Sequence, residues 1–254
     1  MDVEGIYMKE KYNPIGFLSN FSLKTIAIIA MTFDHIGYLL FPKITLFRII
    51  GRIAFPILAY LIAEGCRYTK NKLKRFLTMF IISIAYLIFY YIYTKEIYGS
   101  IFMSFSFAIF FIFLLMDIKK SLVNKKYLLS SILIVLFSTF LYCAYLLFEK
   151  ISIDYGFLGM LVPVFVSLFD FKDLNVPDLL KKLDCLWVKV ICFAIGLSLV
   201  CIKPNLGDIQ FYSFVAVAFI LLYNGKNGYS GFKYGFYIYY PVHLLVLEVI
   251  NSII

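Results

Sequence analysis

Histidine is almost absent from this chain, with only His35 and His243 in 254 residues. Charge is scarce as well: Asp, Glu, Lys and Arg make up 15%, against 63% hydrophobic and 20% aromatic residues. A soluble globule of this size needs more polar residues to cover its surface, so that class is excluded. Together with a mean hydropathy of +0.90, this composition defines an integral membrane protein. The five cysteines (Cys66, Cys143, Cys185, Cys192 and Cys201) show no Cys-x-x-Cys spacing and lie in or beside apolar segments. They read as packing residues, with neither a disulfide framework nor a metal site favoured. No Gly-x-Gly-x-x-Gly, P-loop or Gly-x-Ser-x-Gly pattern, internal repeat or low-complexity tract occurs.

What is present is a series of apolar runs. Nine can be counted, at about 23–41, 46–65, 74–94, 101–117, 127–148, 155–169, 186–202, 209–223 and 237–254. Most approach the roughly 20 residues that a membrane-spanning helix needs. The runs 155–169, which carries Pro163, and 209–223 are short and read as kinked or re-entrant. The expected fold is therefore all-α and polytopic, with about nine spans in one domain filling 1–254. The first run, from about Leu23, is long enough to span and has many successors, so no cleavable signal peptide is expected.

The cations alternate along the connections. Seventeen of them (Lys9, Lys11, Lys24; Arg67, Lys70, Lys72, Lys74, Arg75; Lys119, Lys120, Lys125, Lys126; Lys172, Lys181, Lys182; Lys226, Lys233) fall before the first run or after runs two, four, six and eight. The other connections hold one each, Lys43, Lys95, Lys150 and Lys203. By the positive-inside rule the N-terminus faces the cytoplasm and the C-terminus lies outside a cell membrane. The net charge of +9 is then a matter of orientation and anionic lipid, and no nucleic-acid partner is expected.

Four ionisable groups fall inside the first two runs. Asp34 and His35 lie roughly 10 Å below the outer turn on the way up, Arg52 about as deep on the way down, and Arg48 somewhat shallower. A charge at such depth costs roughly 2.5–3.5 kcal/mol even on the lenient insertion scale, so it needs a partner or a task. Adjacent helix residues do not face one another, which makes Asp34 a poor orienter of His35, whereas Arg48 and Arg52 share a face. The economical arrangement pairs Asp34 with one arginine and leaves His35 facing a cavity. Gly51 permits close helix approach, and Pro56 breaks the ladder of the second helix. Glu64 and Arg67 fall at the cytoplasmic end of that helix, where snorkelling or lipid contact is the default and ligand contact the alternative. His243 follows Tyr239-Tyr240-Pro241 about 10 Å above the cytoplasmic end of its run, where it would line a path to the outer polar layer.

Three stretches form a recognisable combination: Asp34-His35 within 24–37, Arg48-Ile-Ile-Gly51-Arg52-Ile-Ala-Phe55-Pro56 continuing to Ala63-Glu64-Gly65, and Tyr240-Pro241-Val-His243. In this order they resemble the TraX family, named for a membrane acetylase of conjugative pilin. The resemblance is dense over 21–75 and near 236–248. It implies acyl transfer from acetyl-CoA, with His35 as catalytic base, Asp34, Arg48 and Arg52 as its polar surroundings, and His243 as the C-terminal histidine. Acetyl-CoA is then the acyl donor, and the acceptor is a peptide amine or a glycan.

Thioester chemistry needs a base for the acceptor and donors for the oxyanion. His35 suits the first role, Arg48 or Arg52 the second, Tyr240 and His243 substrate contact, and cytoplasmic cations including Arg67 the CoA phosphates. Direct transfer is preferred over an acetyl-histidine intermediate. The opposing class is a proton-coupled transporter of a small anionic solute using the same charges.

Overall fold

A computed structural model describes residues 16–202, 208–229 and 235–253. Lys9, Lys11, Lys203 and Lys233 lie outside them, as does the side chain of Pro241. The described chain is all-α: α1 (Asn20–Leu39), α2 (Thr45–Gly51), α3 (Ala54–Arg67), α4 (Lys72–Thr94), α5 (Ile101–Val123), α6 (Tyr127–Lys150), α7 (Gly156–Val166), α8 (Asp178–Leu183), α9 (Leu186–Cys201), α10 (Val215–Leu221) and α11 (Gly235–Ile253). A 3₁₀ segment, Asp208–Phe214, precedes α10.

Among the described residues, four helices are long and apolar enough to cross a membrane: Thr45–Arg67 taken as one, Lys72–Thr94, Ile101–Val123 and Tyr127–Lys150. Shorter apolar helices cover Gly156–Val166, Leu186–Cys201, Ile209–Leu221 and Ile238–Ile253. Every expected apolar run thus carries helix. The 20 residues of α1 fall short of the hydropathy of a span because Lys24, Asp34 and His35 dilute it.

The chain divides into two compact units, one of 1–61 with 201–254 and one of 62–200. In the first, Ser19 caps α1 by accepting the Ser22 amide at 3.1 Å, which satisfies one orphan donor of the first turn. The α1–α2 turn is short, and the two helices pack directly. Gly37 makes this possible: a Cβ there would stand 2.6 Å from Phe47 Cβ. Between α2 and α3 the ladder tightens, with Ile53 N–H donating to Ile50 O and Arg52 N–H shared between Arg48 O and Ile49 O. Pro56 has no N–H to offer the Arg52 carbonyl, which accounts for the break. α1 also packs against α11, and α2 against the 3₁₀ segment.

In the second unit α5 is the central helix, packed against α4, α6 and α7. Its apolar window is 67% buried, whereas those of α4 and α6 are 11% buried, so α4 and α6 present their apolar sides outward. Two-residue strands, β1 (Tyr98–Gly99) and β2 (Ser152–Ile153), pair in parallel at the head of α5. Asp154 fixes this corner by accepting from the Tyr98 hydroxyl and the Ile101 amide, while its carbonyl accepts from Ser104 Oγ. Burial beside that carboxylate raises the pKa of the Tyr98 phenol.

Candidate functional site

The first unit gathers the polar residues of α1 and α2 around one carboxylate. Asp34 Oδ2 accepts from Arg48 Nη1 at 2.9 Å and Oδ1 from Arg52 Nη2 at 2.5 Å. Both arginines bind the acid, not one as expected, because their i, i+4 spacing on α2 puts both guanidinium groups on the face turned to α1. Arg48 also donates to the Asp34 carbonyl and stacks over Tyr38. Arg52 is 7% exposed; its Nε donates to Arg48 O and its Nη1 to Gln210 Oε1 at 3.3 Å. Gly51 makes room for the triad, since a Cβ there would overlap the Asp34 carboxylate.

His35 turns away from this triad toward α11. Its Nδ1 lies 2.9 Å from His243 Nε2, and His243 Nδ1 lies 2.9 Å from the Tyr239 carbonyl. A carbonyl only accepts, so His243 must carry its proton on Nδ1. In the neutral pair His243 Nε2 then accepts from His35 Nδ1–H, and the lone pair of His35 is left on Nε2. The His35 ring also bonds the Met31 carbonyl one turn back on α1. Aromatic rings hold the pair in place: Tyr239 stacks on His243 at 5.0 Å, and Tyr240 stands edge-on to both imidazoles. Tyr239 is itself tied to α1 through Thr32, hydroxyl to hydroxyl, at 2.7 Å.

His243 was expected to stand apart from His35, on a path toward the cytoplasmic side; the two instead share one hydrogen bond. Depth was counted from an assumed membrane boundary at each helix end, whereas the hydrogen bond puts both rings at one level. Gln210 was missed. It is the chain's only glutamine, and a lone amide in an apolar run is a signal that charge-based reading passes over.

Arg67 belongs to the second unit and corrects the expectation of snorkelling or contact with CoA phosphates. Its side chain is 4% exposed, with Nη1 donating to Asp170 Oδ1 at 2.5 Å and Asp184 Oδ1 at 2.7 Å. Lys189 adds a second cation, 3.1 Å from Asp184. Lys119, expected in a loop, lies near the end of α5 and donates to the carbonyls of Ser167 and Asp170. A buried guanidinium holding two carboxylates has little left to offer a phosphate. Glu64 is likewise buried, on a helix whose residues are almost all buried. Arg75 lies over Gly65 and donates to Ile62 O. All five cysteines are free, and no cluster of three or more metal-ligating side chains occurs among the described residues.

A helix-rich membrane protein with an acid–diarginine triad beside a hydrogen-bonded histidine pair is the class these observations define. A family model described as "TraX protein" matches residues 19–251, which takes in both histidines and the whole triad. The chain belongs to the TraX family. An uncharacterized protein of Rickettsia prowazekii (strain Madrid E), RP591, is 60% identical over 38 residues, a match spanning 15% of this chain and 15% of that protein. No solved structure matches.

Proposed function

We propose that this chain is a membrane acyltransferase that moves an acetyl or short acyl group from cytoplasmic acetyl-CoA to an amine or hydroxyl acceptor in or across the cell membrane. The observation that carries the reading is the chain Tyr239 carbonyl, His243, His35, which leaves one imidazole nitrogen unprotonated. Family membership supports it.

The acceptor N–H or O–H gives its proton to His35 Nε2 as it attacks the thioester carbonyl carbon. A proton gained at Nε2 makes Nδ1–H a stronger donor, and it can pass to His243 Nε2, so that positive charge is shared over two rings. The proton returns to the departing CoA thiolate when the C–S bond breaks. Asp34 with its two arginines holds α1 against α2 and keeps fixed positive charge near the reacting oxygen. Nine spans, an inner N-terminus and an outer C-terminus complete the proposal.

Purified protein incubated with acetyl-CoA and acceptor probes, a peptide amine and an amino sugar, tests it. Thiol release matched by acetylated product is the expected result. Solute flux in vesicles without CoA release would instead favour the transporter class.

A further inference from the structure

Gln210 is fully buried in the 3₁₀ segment, at 0% exposure. Its carboxamide faces Arg52, which donates to Oε1 at 3.3 Å. A guanidinium is donor-only, so the oxygen must be the atom turned toward it, and that fixes which end of the amide is nitrogen. Nε2 is then left with two N–H groups and no hydrogen-bond partner among the described residues. Buried amides are nearly always paired, and an orphaned donor is a cost that a fold keeps for a reason. The residue is also tethered through its backbone, where Cys201 Sγ donates to the Gln210 carbonyl at 3.4 Å and lies 3.7 Å from Ser213 Oγ.

We propose that Gln210 donates from Nε2 to the acyl carbonyl oxygen of the acyl-CoA and holds that oxygen while negative charge builds on it. The assignment rests on the acyltransfer reading above. A thioester carbonyl carries lone pairs and no proton, which is what an orphaned N–H₂ group lacks. Its demand for donors rises as the acceptor attacks the carbonyl carbon and the π pair moves onto oxygen. The acceptor's proton passes to His35, the pair on oxygen returns as the C–S bond breaks, and CoA leaves as the thiol. Arg52, by drawing on Oε1, polarises the carboxamide and strengthens Nε2–H as a donor. Gln210 is thereby a substrate-contacting residue on a segment remote in sequence from the histidines.

The test compares two unreactive CoA analogues on full-length protein in detergent. In one a methylene replaces the thioester sulfur, leaving a ketone; in the other that carbonyl is also reduced to methylene. The wild-type chain should bind the ketone about tenfold tighter, the worth of one buried hydrogen bond. Gln210→Met should bring the two affinities together without weakening the carbonyl-free analogue. Gln210→Glu keeps the acceptor for Arg52 but loses the donor; it should keep or raise Tm while kcat falls roughly 10²–10³-fold. A ketone preference that survives in Gln210→Met, or Gln210→Glu at wild-type kcat, overturns the donor role and leaves Gln210 as a brace for Arg52. If wild-type protein binds neither analogue and releases no thiol, the acyltransfer reading fails, and the donor role fails with it.

Discussion

His35 and His243 meet through one hydrogen bond, Nδ1 to Nε2 at 2.9 Å, although 208 positions separate them in the chain. Under the proposed acyl transfer, the pair divides the work between a ring that reacts and a ring that sets the reacting tautomer. His35→Ala should lower kcat by the roughly 10²–10⁴-fold typical of losing a positioned base. His243→Ala should also act on kcat, by a smaller factor, with little change in acetyl-CoA affinity. Single-turnover kinetics separate the two, and a His243→Ala effect confined to KM would place that ring outside the relay.

Gly51→Ala probes the triad without touching a charge. The new methyl must occupy the space of the Asp34 carboxylate, so one or both Asp34–Arg bonds should break. A loss of roughly 1–3 kcal/mol, as for overpacking in a dense interior, is expected, with activity falling alongside. Gly99→Ala crowds Ile153 in the second unit instead and serves as the control, with stability lost and the triad intact. Thermal unfolding in detergent paired with activity reads both.

Asp34 and Arg52 should be strongly coupled. Their side chains are 16% and 9% exposed, against 30% for Arg48, so the Arg52 bond is the less screened of the two. A double-mutant cycle of Asp34→Ala and Arg52→Ala should give a coupling of about 0.5–3 kcal/mol, and the Arg48 cycle a smaller one. Strict additivity for Arg52 would show that the carboxylate works through Arg48 alone.

Arg67→Ala should destabilise without a selective effect on acetyl-CoA. It leaves Asp170 and Asp184 buried with Lys189 and Lys119 as their nearby cations. Breaking a buried pair from one side typically costs about 3–5 kcal/mol. Yield and Tm should drop while KM for acetyl-CoA in surviving protein stays near wild type. A raised KM at unchanged Tm would return Arg67 to the binding role that its burial argues against.

Orientation is tested by tags at the two ends. The seventeen-to-four distribution of loop cations predicts an accessible N-terminal tag inside and an accessible C-terminal tag outside. Both tags on one side would require an even number of spans.

What was legible in the sequence follows from distance along the chain. Asp34, Arg48 and Arg52 lie within one helical hairpin, so periodicity and a short turn were enough to bring them together. Pro56 and Gly51 announced the break and the close approach by their chemistry alone. His243 could be flagged as unusual, but its partner could not be found, because nothing local encodes which face of α11 meets α1. The anchoring of Arg67 was hidden for a similar reason: Asp170 and Asp184 bracket a polar stretch that looks like a solvated connection, and only tertiary packing draws both acids inward. Gln210 was passed over because an uncharged amide leaves the charge pattern undisturbed, and its polarity alone did not name a partner.

The contact between α1 and α11 also sets a clock on the protein's own synthesis. A ribosome adding about 5–20 residues per second makes His35 some 10–40 s before His243. During that interval the early hairpin can already be inserted with its Asp34 bridges formed, yet the His35 imidazole has no ring to fix its tautomer. A nascent chain stalled before residue 235 would therefore hold the triad without the histidine pair. If the pair is the proposed base, competence arrives in one late event, the docking of α11, and a chain released too early stays silent.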